Sequence, residues 1–155
     1  MKQSMGFLLL IGLLAALSLK PGTASDVGKL EPVELLTVRH AAGMVVLTAD
    51  TGAVGQGSTV EKAVADLYES ARGTIFLDTA ENLLLLGDSE DLVEPLSAAL
   101  RPSCSLVRCI GEPDKDAATF LATHGSNLTI QDYLAEKQPI PILETRGGRM
   151  HLVEP

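Results

Sequence analysis

The sequence predicts an α/β domain with a mixed sheet, about four helices and a β-hairpin at each end, preceded by an N-terminal apolar segment. Three observations support this fold class. Runs rich in leucine and valine alternate with helical patterns, glycine-containing turns join the first and last pairs of strands, and an uncharged run occupies the N-terminus. We therefore divide the chain into an export or anchor segment at residues 1–25 and a single α/β domain at residues 26–155.

The N-terminal segment has the order of a secretory signal. Lys2 precedes a run of 14 uncharged residues, 6–19, and small residues follow at 23–25. A helix that spans a bilayer needs ~20 apolar residues, so this run is short for a permanent span. A cleaved signal peptide and an uncleaved membrane anchor both remain open. Either one predicts an extracytoplasmic domain that is secreted or attached to the membrane through this segment.

The charge of the chain argues against two classes of partner. The 12 basic and 20 acidic residues give a net charge of -8, and without residues 1–25 the net charge is -10. Proteins that bind nucleic acid or anionic lipid do so largely through basic groups, so we expect no nucleic-acid partner. Export also disfavours nucleotide cofactors, which are scarce outside the cytoplasm, and we expect no cofactor.

The first half of the domain is predicted to contain a hairpin, a loop and a helix. Strands at 33–39 and 44–49 flank a turn at 40–43, and a glycine-rich loop follows at 50–57. Ser58 is expected to cap the helix, with Glu61 in the capping-box position. The helix ends near Arg72 and carries one apolar face, which consists of Val60, Ala63, Val64, Leu67 and Ala71.

The second half is predicted to alternate strands with shorter helices. Strands are expected at 74–77, at 83–86 with both faces buried, at 104–110, and in a closing hairpin of 140–144 and 149–153. Helices are expected after Ser89 with an interruption at Pro95, from Asp114 or Asp116 to near Gly125, and from Thr129 to about Lys137 with Asp132 in a capping box.

The glycines at 52–57 have the spacing of a phosphate-binding loop. The match fails at the lysine position, which holds Ser58, and the next basic residue is Lys62. Without that charge, a strand-to-helix loop with a serine cap is the favoured interpretation. An exported module that binds a small ligand at this loop remains an alternative.

The histidines and cysteines do not predict a metal site. His40 is expected in a turn, His124 at a helix end and His151 on the last strand, and none has the spacing of a ligand pair. A strand at 104–110 would hold Cys104 and Cys109 ~16 Å apart on opposite faces. A disulfide needs Cα atoms within ~7 Å, so both thiols are expected to be free.

Acidic residues offer the remaining candidate chemistry. Asp78 with Glu81, or a pair from Asp88, Glu90 and Asp91, could act as a general acid and base. A solvated loop and a helix N-terminus explain the same residues without catalysis. We assign no catalytic, cofactor-binding or metal-binding residue and expect no enzymatic activity, with a small extracytoplasmic hydrolase kept as an alternative.

One stretch of the sequence, residues 59–122, carries a family resemblance. It contains the motifs TVEKAVADL, GTIFLDTAENLLLLG, EDLVEPLSAAL, RPSCSLVRCIGEP and DKDAATFLA, and residues 139–143 add a returning strand. From residue 33 onward this succession resembles the N-terminal domain of the Ger(x)C family, the C subunits of spore germinant receptors in endospore-forming bacteria.

The resemblance implies a non-enzymatic subunit at the outer face of a membrane. Such a subunit works with membrane-embedded A and B subunits in spore germination. The sequence departs from the family pattern in two ways. The family has a lipidated cysteine directly after its signal, whereas no cysteine precedes Cys104 here. The family also continues into further domains after this one. The resemblance therefore predicts the kind of partner and transfers no site residue.

Overall fold

The computed structural model of the protein describes residues 30–155, and residues 1–29, with the predicted export or anchor segment, lie outside the described part. This part contains a seven-stranded mixed sheet, a two-stranded parallel sheet and four α-helices, which confirms the predicted α/β class. The strands are β1 (Leu30–Pro32), β2 (Leu35–Ala41), β3 (Met44–Ala49), β4 (Val54–Gly57), β5 (Thr74–Phe76), β6 (Asn82–Leu86), β7 (Ser105–Cys109), β8 (Ile142–Arg146) and β9 (Arg149–Val153). The helices are α1 (Val60–Ser70), α2 (Val93–Leu96), α3 (Ala117–His124) and α4 (Ile130–Glu136), with 3₁₀ turns at Leu77–Thr79 and Glu90–Leu92.

The large sheet has the strand order β4-β3-β2-β6-β7-β8-β9. Its four central strands, β2, β6, β7 and β8, are parallel, and the strands beyond them at both ends are antiparallel. The two predicted hairpins are confirmed as β2–β3 and β8–β9. Each has a two-residue turn with positive φ angles, 52° and 77° at Ala42 and Gly43 and 58° and 75° at Gly147 and Gly148, as type I′ turns require.

The small sheet joins the start of the described chain to its middle. β1 pairs in parallel with β5, and Thr79 reinforces the contact because its hydroxyl accepts from Val33 N at 3.0 Å. The extended piece predicted at 74–77 is thus confirmed as β5. No strand was predicted before residue 33, because three residues that pair only with a distant segment leave no local periodicity.

The two faces of the large sheet are covered unequally. Helices α1, α2 and α4 pack on one face, whose core includes Leu36, Leu47, Leu67, Leu83, Leu96 and Leu106. On the second face, α3 contributes Ala117 and Leu121 to a smaller cluster over β6, β7 and β8. Because this cluster reaches β2 only at Leu35, the second face of β2, β3 and β4 stays largely accessible.

The segment predicted as a glycine-rich loop is partly a strand. After a turn in which Gly52 N donates to Ala49 O, residues Val54–Gly57 form β4 and pair with β3. A Cβ atom at Gly57 would lie 2.5 Å from Ala63 N in α1. Gly55 and Gly57 therefore allow α1 to approach the strand closely, and this packing requirement accounts for the glycines.

The starts of three helices differ in how well they match the predicted caps. Thr59, not Ser58, caps α1: its hydroxyl accepts from Lys62 N at 3.4 Å, while the Ser58 hydroxyl accepts from Lys62 Nζ at 3.2 Å. The capping box of Thr129 with Asp132 is confirmed at the start of α4. Asp116 occupies the N-cap of α3, although its side chain makes no capping hydrogen bond.

The helix expected after Ser89 is much shorter than the sequence pattern suggests. Ser89 makes no capping bond, because its hydroxyl donates to Leu86 O at 2.8 Å, and a 3₁₀ turn precedes the four residues of α2. Pro95 lies within α2, where it provides no backbone N–H for continuing the helix. The expected apolar residues are nevertheless buried, namely Leu92, Val93, Leu96 and Leu100.

The two cysteines lie on opposite faces of the sheet, as predicted. Cys104 belongs to the core under α1, α2 and α4, and Cys109 belongs to the cluster under α3. Both are buried free thiols. Their separation across the sheet explains why they do not form a disulfide.

Candidate interaction surface

Charged side chains from three elements meet where the parallel strands end. Arg39 and His40 lie near the end of β2, residues 87–91 follow β6, and residues 110–116 follow β7. In parallel α/β sheets the carboxyl ends of the strands are the usual position of functional residues. We call this region the carboxyl edge.

His40 and Asp91 form the first contact of the carboxyl edge. His40 Nε2 lies 3.1 Å from both carboxylate oxygens of Asp91. His40 is part of β2, so its expected placement in the turn was wrong: the hairpin turn begins only after Ala41. The two side chains are 44% and 67% exposed, so water screens their attraction and the pair is a weak contributor to stability.

Arg108, Glu90 and Tyr133 form a less exposed group beside it. Arg108 Nη1 lies 3.1 Å from Glu90 Oε1, and the Tyr133 hydroxyl donates to Glu90 Oε2 at 3.5 Å. Tyr133 is 8% exposed. Burial raises the pKa of the Tyr133 phenol above its ordinary value, and the negative charge of Glu90 raises it further.

The carboxyl edge continues onto the accessible half of the second sheet face. Arg39 Nη1 lies 3.2 Å from Glu112 Oε1, and Arg39 shares its side of the sheet with residues of β3 and β4. We define the open face by Thr37, Arg39, Met44, Val46, Thr48, Val54 and Gln56, which the strand register places on one side. A shallow depression of about 140 Å³ lies between Thr48 and Pro113.

The rim of the open face is acidic. The loop after β7, which contacts Arg39, contains three acidic residues and one lysine, namely Glu112, Asp114, Asp116 and Lys115, whereas the acidic residues after β6, namely Asp88, Glu90 and Asp91, precede α2 on the other face of the sheet. Three of these acids contact His40, Arg39 or Arg108. The remaining ones, Asp88, Asp114 and Asp116, keep negative charge at the carboxyl edge.

The carboxylates proposed from the sequence as an acid–base pair are divided among different partners. Glu90 contacts Arg108, Asp91 contacts His40, and Glu81 lies 3.7 Å from Arg101 at the other edge of the sheet. Asp78 is exposed in a 3₁₀ turn. The structure therefore brings Glu90 and Asp91 into one region but gives each a basic neighbour.

The other two histidines do not take part in the carboxyl edge contacts. His124 stacks on Phe120 in the last turn of α3, and His151 lies on β9, as expected for a helix end and a terminal strand. Within residues 30–155, no group of three or more His, Cys, Asp or Glu side chains is arranged to hold a metal ion.

Arg39, Arg108 and Tyr133 were not among the residues singled out from the sequence. Their common signal is position, because Arg39 and Arg108 lie near the carboxyl ends of predicted strands. That signal becomes useful only when the strands are known to be parallel neighbours, and the sequence did not establish their order.

The helices of the described part are short. None between residues 30 and 155 combines the length and the apolar composition that crossing a bilayer requires.

Neither a family model nor a curated protein nor a solved structure matches the chain.

Proposed function

We propose that the chain is a non-enzymatic, exported interaction domain that works at the outer face of a membrane in spore germination, as the Ger(x)C proteins it resembles do. The observation that carries this proposal is the open face of β2, β3 and β4 beside an acidic rim. The partner is a membrane-embedded protein of the A or B subunit type that presents a basic surface.

Export is supported by the N-terminal sequence. The uncharged run at 6–19 follows Lys2 and precedes a small-residue stretch, which is the arrangement of a signal or anchor. The segment delivers the domain to the extracytoplasmic side, and if it is not cleaved it also holds the domain at the membrane.

The composition of the open face supports protein contact. Met44 and Val54 are 37% and 39% exposed, and Thr37, Thr48 and Gln56 lie among them. Interfaces of this kind combine apolar area at the centre with polar groups at the rim. The acidic loop after β7 supplies the rim, and a partner with basic groups would satisfy its charge while covering the apolar side chains.

The contacts of the carboxylates favour this proposal over the hydrolase alternative. A hydrolase of the kind considered needs two carboxyl groups that face one substrate. The contacts of Glu90 with Arg108 and of Asp91 with His40 instead use these groups to hold the loop after β6 against β7 and β2.

Site-specific photocrosslinking tests the proposed surface. A photoreactive amino acid replaces Thr48 on the open face of the full chain in its native cells, and a matched variant carries it at Ala65, which is exposed on α1 at the other face of the sheet. We expect an adduct with a multi-span membrane protein from position 48 only, and less adduct at raised salt, because screening weakens complementary charges. Equal adducts from both positions, or none from position 48, would contradict the proposal.

Cell fractionation with N-terminal sequencing tests export separately. We expect the protein in the membrane or the extracytoplasmic fraction, with or without its first 25 residues. A chain that keeps Met1 and is found in the cytosol would contradict export. Adjacent genes for multi-span receptor subunits would support the assignment to germination, and a genome without sporulation genes would contradict it.

A further inference from the structure

A polar pocket lies at the amino edge of the large sheet, at the opposite ends of the parallel strands from the carboxyl edge. β6 begins there with Asn82 and β7 with Ser105, and the last turn of α3 forms one wall. Its volume is about 280 Å³. A single water needs only ~15 Å³, so the pocket has room for a small organic molecule.

Asn82 is the most buried polar residue of this pocket. It is 4% exposed, and its side chain lines the pocket. Its Oδ1 atom lies 3.4 Å from the position that a Cβ atom on Gly125 would occupy, so the amide points across the pocket towards α3. A side-chain amide can both donate to a ligand and accept from one.

Arg101 and Glu81 place opposite charges at the same pocket. Arg101 Nη2 lies 3.7 Å from Glu81 Oε1, which is too long for a hydrogen bond. The Nε atom of Arg101 is buried and has no hydrogen-bond partner among the residues that the structure describes. Both side chains therefore keep hydrogen-bonding capacity, and together they give the pocket no net charge.

Three serines line the pocket, and two of them are used in hydrogen bonds within the protein. Ser105 donates from its hydroxyl to Ser126 O at 2.9 Å, and Ser126 Oγ accepts from Leu128 N at 2.9 Å. These two bonds fix the wall of the pocket from within. Ser103 also lines the pocket and adds a hydroxyl group close to Arg101 in the sequence.

We infer that this pocket binds a small zwitterion that carries a carboxylate and an ammonium group on neighbouring carbons, as a free α-amino acid does. The Arg101 guanidinium and the Asn82 amide donate to the carboxylate. Glu81 accepts from the ammonium group, and the C-terminal end of α3, which forms one wall, adds partial negative charge to the pocket. A simple anion would leave Glu81 without its counter-charge, and a simple cation would leave Arg101 without one.

Titration of the full chain in mild detergent tests the inference. The probes are L-serine, L-glutamine and L-leucine, with acetate and methylammonium as fragments that carry one charge each. We expect the backbone NMR signals of Asn82, Ser105 and Gly125 to shift with at least one amino acid, with a Kd of about 1 mM. Each fragment should bind at least ~10-fold more weakly, because it forms only part of the contacts.

Matched variants locate the binding groups. Arg101→Gln and Glu81→Gln are compared with Arg149→Gln and Glu69→Gln, which change exposed residues that do not line the pocket. We expect the first two to weaken amino-acid binding about 10-fold or more, and the two controls to leave it unchanged. Glu81→Gln should also remove the preference for an amino acid over acetate.

Three results would overturn the inference. They are the absence of shifts with every amino acid, binding of acetate as tight as that of the amino acids, and unchanged binding in a folded Arg101→Gln variant. If Arg101→Gln does not fold, the comparison of amino acids with the two fragments on the unaltered chain still decides the question.

Discussion

Gly55 lies so close to α1 that a Cβ atom at this position would meet the backbone nitrogen of Leu67 at 2.5 Å. The obstacle is main chain, which cannot swing aside as the end of a flexible side chain can. Gly57 has the same relationship with Ala63 one turn earlier. Strand β4 and helix α1 therefore pack backbone against backbone, and the two glycines are required by this packing.

Replacement of Gly55 by alanine should destabilise the domain. The added methyl group must push α1 away from the sheet and disturb the core around Leu67, so we expect a loss of about 3 kcal/mol in the free energy of unfolding. Denaturant unfolding of the full chain measures this loss.

Gly43→Ala is the matched control for this experiment. Gly43 has a φ angle of 77°, and a Cβ atom added there would meet no other atom within 4 Å. The cost of this substitution therefore comes from backbone strain alone and should be about 1 kcal/mol. A loss for Gly55→Ala no larger than that for Gly43→Ala would contradict the packing argument.

Local signals made much of the fold predictable from the sequence. The glycine at position 43 marked a hairpin turn, the leucine run at 83–86 marked a strand buried on both faces, and Thr129 with Asp132 marked a helix start. Each of these signals depends on residues within a few positions of one another, and so the sequence contains it directly.

The features that were missed depend on distant residues. The glycines at 52–57 would have the same spacing in a phosphate-binding loop and in a strand that a helix approaches closely. Only the position of Ala63 and Leu67 beside them shows that the second interpretation is correct. The carboxyl edge was not predicted for a similar reason, because the residues at the ends of β2, β6 and β7 become neighbours only through the order of these strands. Sequence separation hides such relationships.

The capping box of α4 should have a measurable effect on stability. The Thr129 hydroxyl accepts from Asp132 N at 3.2 Å, and Asp132 Oδ2 accepts from Thr129 N at 3.4 Å. Thr129→Ala removes the hydroxyl that accepts from Asp132 N and donates to Asp132 Oδ2 at 2.6 Å, so unfolding should become about 1 kcal/mol easier. Thr123→Ala is the control, because it removes an exposed hydroxyl that donates only to Thr119 O within α3. Its free energy of unfolding should change by no more than about 0.5 kcal/mol. Equal losses in the two variants would show that the box does not stabilise α4.

The two cysteines should resist alkylation in the folded protein. Burial raises the pKa of the Cys104 thiol to about 12 and also raises that of Cys109. The thiolate is the reactive form, so at neutral to mildly alkaline pH both should react at least ~100-fold more slowly than a cysteine placed at Ile110, which is 67% exposed. Mass spectrometry after timed alkylation measures the rates, and denaturant should equalise them. Rapid labelling of Cys104 without denaturant would contradict its burial.

The same pKa shift predicts how stability changes at alkaline pH. In the unfolded chain Cys104 loses its proton near its ordinary pKa of 9.0, whereas the folded thiol keeps it to about 12. The folded state therefore binds the proton more tightly, and this contribution to stability is complete below pH ~8 and is lost as the pH rises through ~9 to ~12. Cys104→Ala should flatten the decline measured by denaturant unfolding across this range, and an unchanged decline would refute the assignment.

Glu90 should control the titration of Tyr133. Burial is the main cause of the raised pKa of Tyr133, and the charge of Glu90 and its hydrogen bond add to it. Glu90→Gln removes the charge but not the burial, so the pKa of Tyr133 should fall while remaining above its ordinary value of 10.0. The chain has two tyrosines and no tryptophan, so near-ultraviolet absorbance in a Tyr68→Phe background follows Tyr133 alone. Glu94→Gln, an exposed change in α2, serves as the control, and a shift of equal size there would mean that Glu90 has no specific influence on the phenol.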